Sequence, residues 1–594
     1  MEKYPVISNI GLSREWLLRS KRQGQISFFS TEKRKYASLL RGVLISSDHM
    51  ASAGIVSLPT PVKLKEYDIL SDSEIYPFQG RMTGIIGDAI LRAPTGAGKT
   101  KASLLWAAAN QVENGRLFYV LPYTASINAM FMTLRNIYGK ENVGLLHHKS
   151  VSYLYKLQEE EKEERSTNYD AELLANLAKE TYYPIKTCTP HQLLRSALRG
   201  RGWEQSLLEF QGACFIFDEV HAYDPRILGL LLAMTRWLKP YGAKFIFISA
   251  TMPEFLHKMI TQYLPESPIF IEPNPEIPKD RIILEKKRHV LEIWDGNILN
   301  QLDKIIQKYS TKKILIVCNH VSTAQLVYKE ILKKITSGAL NVKSSLLIHS
   351  RFAHKDRTEL ENRIMNDQPD ILVSTQVIEV SLNLDYQVCI TEPAPIDALV
   401  QRFGRTNRYG DRAPESVIVL MEQLNKNEIY PKWIVEKTLE NLKPLQNSVL
   451  SEKDLITVSD KVYETGYTPE DTEIFNRMLN HPEINEFDEN ILAGTYRNWV
   501  EEVIEGTDQV IEVLPEIYYK KYIELYGNKK WIEASMLLVN ISYSQYKGID
   551  KKGYIEATLE DSKVTVITAP YSKELGLKLN DLKVKGNDFS DRLF

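Results

Sequence analysis

Cysteine is scarce in this chain of 594 residues: four of them, Cys188, Cys214, Cys318 and Cys389, stand far apart. They make neither a CxxC pair nor a disulfide framework, so a stapled fold is excluded and buried free thiols are expected. Long apolar runs are missing as well. None approaches the roughly 20 residues of a membrane span, and Met1-Glu-Lys-Tyr-Pro opens no apolar signal region. The expectation is a cytoplasmic chain with no membrane partner. Charge of one sign is not in excess either, since 74 Lys and Arg against 76 Asp and Glu leave −2. No global field draws such a chain to nucleic acid, and any site of that kind has to be a local groove. Repeats and low-complexity tracts are lacking. The one dense charge run, Glu159-Glu-Glu-Lys-Glu-Glu-Arg, reads as a solvated helix face.

What is present is ordinary globular composition, 43% apolar and 25% charged, in a length sufficient for roughly three or four domains. From about Gly80 to Met421, short β-branched runs alternate with helical patterns, the signature of parallel α/β sheets. The clearest strands are Arg116–Leu121, Cys214–Phe217, Lys244–Ile248, Lys313–Cys318, Ser345–Ile348, Asp370–Ser374, Tyr386–Ile390 and Ser416–Leu420. Three prolines in Glu272-Pro-Asn-Pro-Glu-Ile-Pro read as a linker and divide the set into two lobes. The divisions expected are a helical extension over 1–70, lobes over 71–275 and 276–428, and an accessory C-terminal domain over 429–594.

Ala93-Pro94-Thr95-Gly96-Ala97-Gly98-Lys99-Thr100 is a phosphate cradle between an apolar strand and a helix. Its glycines let backbone N–H groups close on phosphate oxygens at a helix N-terminus. Lys99 would reach the β and γ phosphates of a nucleoside triphosphate, and the Thr100 hydroxyl would ligate Mg²⁺. Asp218-Glu219-Val220-His221 ends the strand Cys214–Phe217. Asp218 would hold the same Mg²⁺, and Glu219 would polarise the attacking water. Ser249-Ala250-Thr251 closes the next strand, where small hydroxyls can couple to the carboxylates, or serve merely as a helix cap. In the second lobe, Gln401-Arg402-Phe403-Gly404-Arg405-Thr406-Asn407-Arg408 offers Arg405 and Arg408 as guanidinium fingers for the γ-phosphate. Upstream, Thr375 suits a nucleic-acid phosphate and Asp385 a nucleotide ribose. The pair His147-His148 has no Cys or carboxylate at ligand spacing, and zinc is not expected.

Phosphate loop, DExH, SAT, TQxxExSLxxD and QRxGRxxR in this order resemble the superfamily 2 helicases over about residues 75–425. Four strings are similar to one family, the CRISPR-associated helicase-nucleases of type I interference. They are Thr189-Pro-His-Gln-Leu-Leu, Ile348-His-Ser-Arg-Phe with Asp356-Arg357, Ser374-Thr-Gln-Val-Ile-Glu-Val-Ser-Leu382, and Gln401 to Arg408. The resemblance implies two tandem RecA-like domains and an ATP-driven motor hauling single-stranded DNA 3′ to 5′ after an RNA-guided surveillance complex opens the target. It places Gln79 at the adenine, and Thr124, Thr189 and Thr375 on the DNA backbone. Thr95, Gly96, Ala97 and Gly98 fall at the nucleotide, and His221, Ser249, Thr251 and Gln401 at the coupling between sites. Fused members of that family carry a metal-dependent HD nuclease ahead of the motor. Here His49 is the one histidine before the phosphate loop, and no His-Asp dipeptide occurs. The expectation is therefore a separate HD nuclease partner, with the segment around Asp48 as its docking surface or as a plain helical extension. A different superfamily 2 motor, an RNA helicase or a restriction-type translocase, is the alternative.

Overall fold

The computed structural model describes residues 30–59, 62–64, 69, 75–160, 168–380, 383–498, 500–505, 510–559 and 561–579. Seven short strands make the first sheet: β1 (Ala89–Arg92), β2 (Leu117–Val120), β3 (Val143–Leu146), β4 (Ile185–Cys188), β5 (Cys214–Phe217), β6 (Lys244–Ser249) and β7 (Ile269–Ile271). Their order is β3-β4-β2-β5-β6-β1-β7, and every pair is parallel. Both faces of a parallel sheet are covered by its crossover helices, so the strands are apolar at nearly every position. The two-residue period then sorts side chains into two cores. Phe118, Phe215, Phe217, Phe245 and Phe247 share one face, with neighbouring rings stacked 4.9–6.4 Å apart. Leu117, Tyr119, Ile216, Ile246 and Ile248 share the other.

The second sheet holds β8 (Lys287–Trp294), β9 (Ile314–Val317), β10 (Ser345–Ile348), β11 (Ile371–Ser374), β12 (Val388–Thr391), β13 (Glu415–Leu420) and β14 (Val449–Ser451). Its order is β10-β11-β9-β12-β13-β8-β14, parallel throughout except for β14, which runs antiparallel to β8. The expected architecture, two tandem RecA-like domains, is the one found. All four cysteines are buried and free. Among the described residues no helix is long and apolar enough to cross a membrane.

Between the lobes the proline-rich stretch is packed rather than free. Pro278 starts the helix Pro278–Leu284, and the fully buried Asp280 accepts hydrogen bonds from the backbone N–H of Phe78 (3.2 Å) and Asn274 (3.0 Å). Residues 429–594, expected as one accessory domain, divide three ways. Leu439, Leu442, Leu450, Leu455, Val458 and Val462 join the second lobe's core. Phe475, Met478, Leu479, Phe487, Ile491, Val500 and Ile504 return to the first, against the helix Pro225–Leu238. There Gly229 leaves no room for a Cβ, which would meet the Phe475 carbonyl oxygen at 2.7 Å. The remaining described segment is a domain of its own. It is a sheet of β15 (Val510–Pro515), β16 (Val539–Ser542), β17 (Ile555–Thr558) and β18 (Thr565–Ile567) in the order β16-β15-β18-β17.

At the other end, the helix Thr31–Ser52 buries Ser38, Gly42, Ser46 and Met50, one side at a four-residue spacing. That side lies on the helix Trp203–Phe210, so closely that a Cβ on Gly42 would meet the Glu204 carbonyl oxygen at 2.5 Å. The opposite side leaves Tyr36, Val43 and Leu44 exposed.

Candidate active site

Sheet order brings the first lobe's motifs together. β1, β6 and β5 are neighbours, and the phosphate loop, the Ser249 turn and the Asp218-Glu219 pair leave their carboxyl ends. Gly96 (φ +82°) and Gly98 (φ +81°) turn the loop through the left-handed region that favours glycine. Gly98 is also crowded, since a Cβ there would stand 2.3 Å from Gln79 Nε2. Lys99 and Thr100 open the helix Lys99–Asn110.

Asp218 is buried, and its Oδ2 accepts a 2.8 Å hydrogen bond from the Tyr119 hydroxyl. Burial, and then the neighbouring Glu219 charge, push its carboxyl pKa up to about 6, with Lys99 and Tyr119 acting the other way. Glu219 itself is held in the left-handed region (φ +53°), and its Oε2 is buried without a hydrogen bond. Such conformations in a non-glycine residue cost about 1–3 kcal/mol and gather at functional sites. The Thr95 hydroxyl is likewise buried and unpartnered. Two crowded carboxylates beside one lysine are short of positive charge, so a divalent cation held by Asp218 and Thr100 fits this donor set. His221 Nδ1 lies 2.7 Å from Ser249 Oγ and 3.4 Å from Glu219 Oε2, and Ser249 Oγ accepts the Thr251 N–H at 3.2 Å. His221, Ser249 and Thr251 are thus one chain of contacts ending at Glu219.

The second lobe approaches across the loop. A Cβ on Gly404 would stand 3.7 Å from Thr95 Cγ2, and Ser126 Oγ donates to the Val380 carbonyl at 3.2 Å. The arginines divide their work. Arg402 is fully buried and donates to Glu379 Oε1 (2.8 Å), Thr391 Oγ1 (2.6 Å) and the Tyr430 hydroxyl (3.1 Å), which makes it a strut. Arg405 donates through Nε to the Ile378 carbonyl (2.9 Å) and through Nη2 to the Glu379 carbonyl (2.5 Å). Burial and then Arg408 lower its pKa, and the charge of Glu219 opposes that. Arg408 lies among Arg288, Tyr409 and Asp385 of its own lobe, with Nη1 buried and unpartnered. Gln401 is half-buried on the helix Ile396–Phe403.

Two residues expected at the nucleotide hold protein partners. Asp385, expected at the ribose, gives both carboxylate oxygens to Arg412 (2.6 and 2.8 Å) and accepts the Arg408 N–H (2.7 Å). It pins the turn that carries the arginines. Gln79, expected at the adenine, spends its amide on the phosphate loop: Nε2 donates to the carbonyls of Ala97 (3.2 Å) and Gly98 (3.1 Å), and Oε1 accepts the Tyr76 N–H (2.9 Å). Thr124, Thr189 and Thr375 stand just past the carboxyl ends of β2, β4 and β11, and Thr189 and Thr375 are buried. Ser381 and Leu382, in the TQxxExSL string, lie outside the described residues. Among the described residues no group of three or more His, Cys, Asp or Glu side chains is placed to hold a metal by itself, and His147 is buried, bonded to Asn128 Oδ1 at 2.8 Å. Tyr119 and Tyr123 are functional neighbours the sequence did not announce. Tyr123 is raised in pKa, by burial first and then by Glu379 and Asp397.

Comparison with known proteins agrees with this geometry. Residues 76–259 match the DEAD/DEAH box helicase family, and residues 310–411 match the family described as CRISPR-associated nuclease/helicase Cas3, C-terminal. Over these two regions the chain is similar to the Cas3 helicases. A putative CRISPR-associated nuclease/helicase Cas3 of Methanocaldococcus jannaschii is 28% identical over 488 residues, 76% of this chain and 62% of the relative. The CRISPR-associated nuclease/helicase Cas3 of Methanothermobacter thermautotrophicus is 27% identical over 511 residues, 81% of this chain and 57% of the relative. The chain therefore spans about three fifths of these relatives' length. A crystal structure of T. fusca Cas3-ADP shares the fold with a TM-score of 0.64 at 18% identity, covering 88% of this chain and 72% of that one.

Proposed function

We propose that the chain hydrolyses ATP to draw single-stranded DNA 3′ to 5′ through the cleft between its lobes during CRISPR interference. The observation that carries this is the approach of the arginine-bearing turn to the phosphate loop, Gly404 standing beside Thr95, on the sheet edge where the buried Asp218 and its neighbour Glu219 lie. The loop's N–H groups and Lys99 bind and orient the triphosphate, while Thr100 and Asp218 would hold the accompanying Mg²⁺, which neutralises phosphate charge. Glu219 takes the proton of the attacking water. Arg405 meets the charge that develops on the γ-phosphoryl oxygens and can do so only with the lobes closed. Hydroxyls and backbone amides around Thr124, Thr189 and Thr375 hold phosphates without reading bases, as a motor moving over any sequence requires. His221 and Ser249 relay between the two sites.

Glu219→Gln tests the core of this reading. The amide keeps the shape but cannot accept the proton, so turnover should drop on the order of 10²-fold or more while ATP still binds. Turnover in wild type should rise on adding single-stranded DNA. Stimulation by RNA alone would move the assignment to another class of motor. We further propose that a surveillance complex delivers the strand and that a separate HD nuclease docks on the exposed Tyr36, Val43 and Leu44 face near Asp48. Reconstitution with Mn²⁺ and a candidate HD protein should yield cleavage that the chain by itself does not perform. Metal-dependent degradation by the lone chain would overturn that partnership.

A further inference from the structure

After Val462 the chain returns to the first lobe, and the last helix before that crossing, Glu452–Val462, touches both lobes. Its body belongs to the second. Leu455, Val458 and Val462 are buried in that lobe's core, and Arg288 of β8 donates through Nε to Glu452 Oε1 at 2.9 Å. Just past the last turn, the Tyr463 hydroxyl donates to Asp397 Oδ1. Asp397 lies in the first turn of the helix Ile396–Phe403, whose far end leads into Gly404 and Arg405.

Asp460, on the same helix, bonds the first lobe. Its Oδ1 accepts the Glu254 N–H at 2.9 Å, and both carboxylate oxygens lie 3.4 Å from Arg92 Nη1. These two partners frame the phosphate loop. Arg92 ends β1 directly ahead of that loop, stands opposite Ser249 in the strand register, and is held on its own lobe by Glu272 Oε2 at 2.7 Å. Glu254 opens the helix Glu254–Tyr263, three residues after Thr251. The first N–H groups of a helix lack partners within it, and Pro253 has no side-chain group to offer them, so Asp460 supplies an acceptor from the other lobe. Phe255, the next residue, meets the rings of Tyr463 and Tyr467 at 6.0 and 5.3 Å.

Three residues separate Asp460 from Tyr463, less than one helical turn. The bonds to the phosphate-loop strand and to the arginine-bearing helix are thus made from nearly the same place on one rigid segment. We infer that Asp460 is a positioning residue for ATP hydrolysis: it ties Arg92 and the Glu254–Tyr263 helix to the helix that leads into Arg405, and so fixes where that guanidinium arrives. The inference rests on the function proposed above, with Arg405 as the group that meets the γ-phosphate. Asp460 bonds protein rather than nucleotide, so its effect passes through Arg405. A misplacement of 1 Å in such a group can cost about 10²-fold in rate.

The test compares DNA-stimulated ATP turnover and the binding of a fluorescent ATP analogue in the full-length chain as wild type, Asp460→Ala, Asp460→Asn, Arg405→Ala and the Asp460→Ala, Arg405→Ala double variant. Asp460→Ala should lower turnover at saturating ATP by about 10- to 100-fold, with analogue affinity within about 2-fold of wild type. Asp460→Asn keeps an acceptor for the Glu254 N–H and loses the charge facing Arg92. It should lie between wild type and the alanine variant, and it carries the test if the alanine chain does not fold. In the Arg405→Ala background Asp460→Ala should cost nothing further, because no guanidinium remains to be positioned. Wild-type turnover in both Asp460 variants, a loss confined to nucleotide affinity, or an equal loss with and without Arg405 overturns the inference alone. If Arg405→Ala keeps stimulated turnover, or wild type shows no stimulation by DNA, the proposed function falls and takes the inference with it.

Discussion

Arg405→Lys separates charge from geometry at the seam. The native guanidinium is 7% exposed and forks onto two carbonyl oxygens, those of Ile378 and Glu379, through Nε and Nη2. That fork fixes the plane of the group and leaves Nη1 outside both bonds. A lysine keeps the positive charge but has one nitrogen, which cannot hold both carbonyls and still face a phosphate. Hydrogen bonds from charged donors contribute about 1.5–3 kcal/mol each, so losing one buried bond should lower the melting temperature measurably without unfolding the chain. An arginine finger is worth about 10³-fold or more in turnover, or roughly 4 kcal/mol of barrier. The expected result is DNA-stimulated ATP turnover down about 10³-fold with ATP affinity, measured by a fluorescent analogue, within about 3-fold of wild type. Arg402→Gln is the contrast. It strips a fully buried strut from Glu379, and its main effect should be on stability, about 3–5 kcal/mol. Turnover retained within a factor of about ten in Arg405→Lys would refute the assignment of Arg405 to the γ-phosphate.

Gly98→Ala sets a Cβ against Gln79 Nε2 in a left-handed backbone, and should abolish ATP binding in a fluorescent-nucleotide titration while costing about 1–3 kcal/mol. Lys186→Met removes the nearest cation from the buried Glu209 carboxylate (2.6 Å), leaving Arg116 at 3.6 Å, and should lower urea stability by up to about 3–5 kcal/mol, with the double apolar variant recovering most of it.

That buried pair also shows where the sequence was hard to read. Cys214–Phe217 and Lys244–Ser249 were legible because both of their faces are apolar, as a central parallel strand demands. β4, Ile-Lys-Thr-Cys, hides its burial behind a lysine that is satisfied by Glu209 and the Glu180 carbonyl, and the pattern gave no sign of that partner. β8 hides in the same way: Arg288 is neutralised by Glu452, and His289 bonds the Thr406 carbonyl at 2.8 Å, both more than a hundred residues away. The phosphate loop and Asp218-Glu219 were readable because local backbone geometry places them. Asp385 and Gln79 were assigned to ligand, and their bonds to Arg412 and to the loop carbonyls depend on tertiary approach. Tyr119 and Tyr123 passed as core and helix entry, since a tyrosine in an apolar strand carries no mark of what its hydroxyl meets.

Because Phe475, Phe487 and Ile504 pack back into the first lobe, while the β15–β18 domain that follows bonds His354, Lys355 and Gln325 of the second, the chain passes between the lobes more than once. A body hung from several pivots loses most of its rotational freedom, so any separation and closure of the lobes should be confined to a narrow path. A nick in one of these connections should leave the halves tethered but widen that path, so that ATP binding outlasts the turnover that depends on the arginine arriving on target.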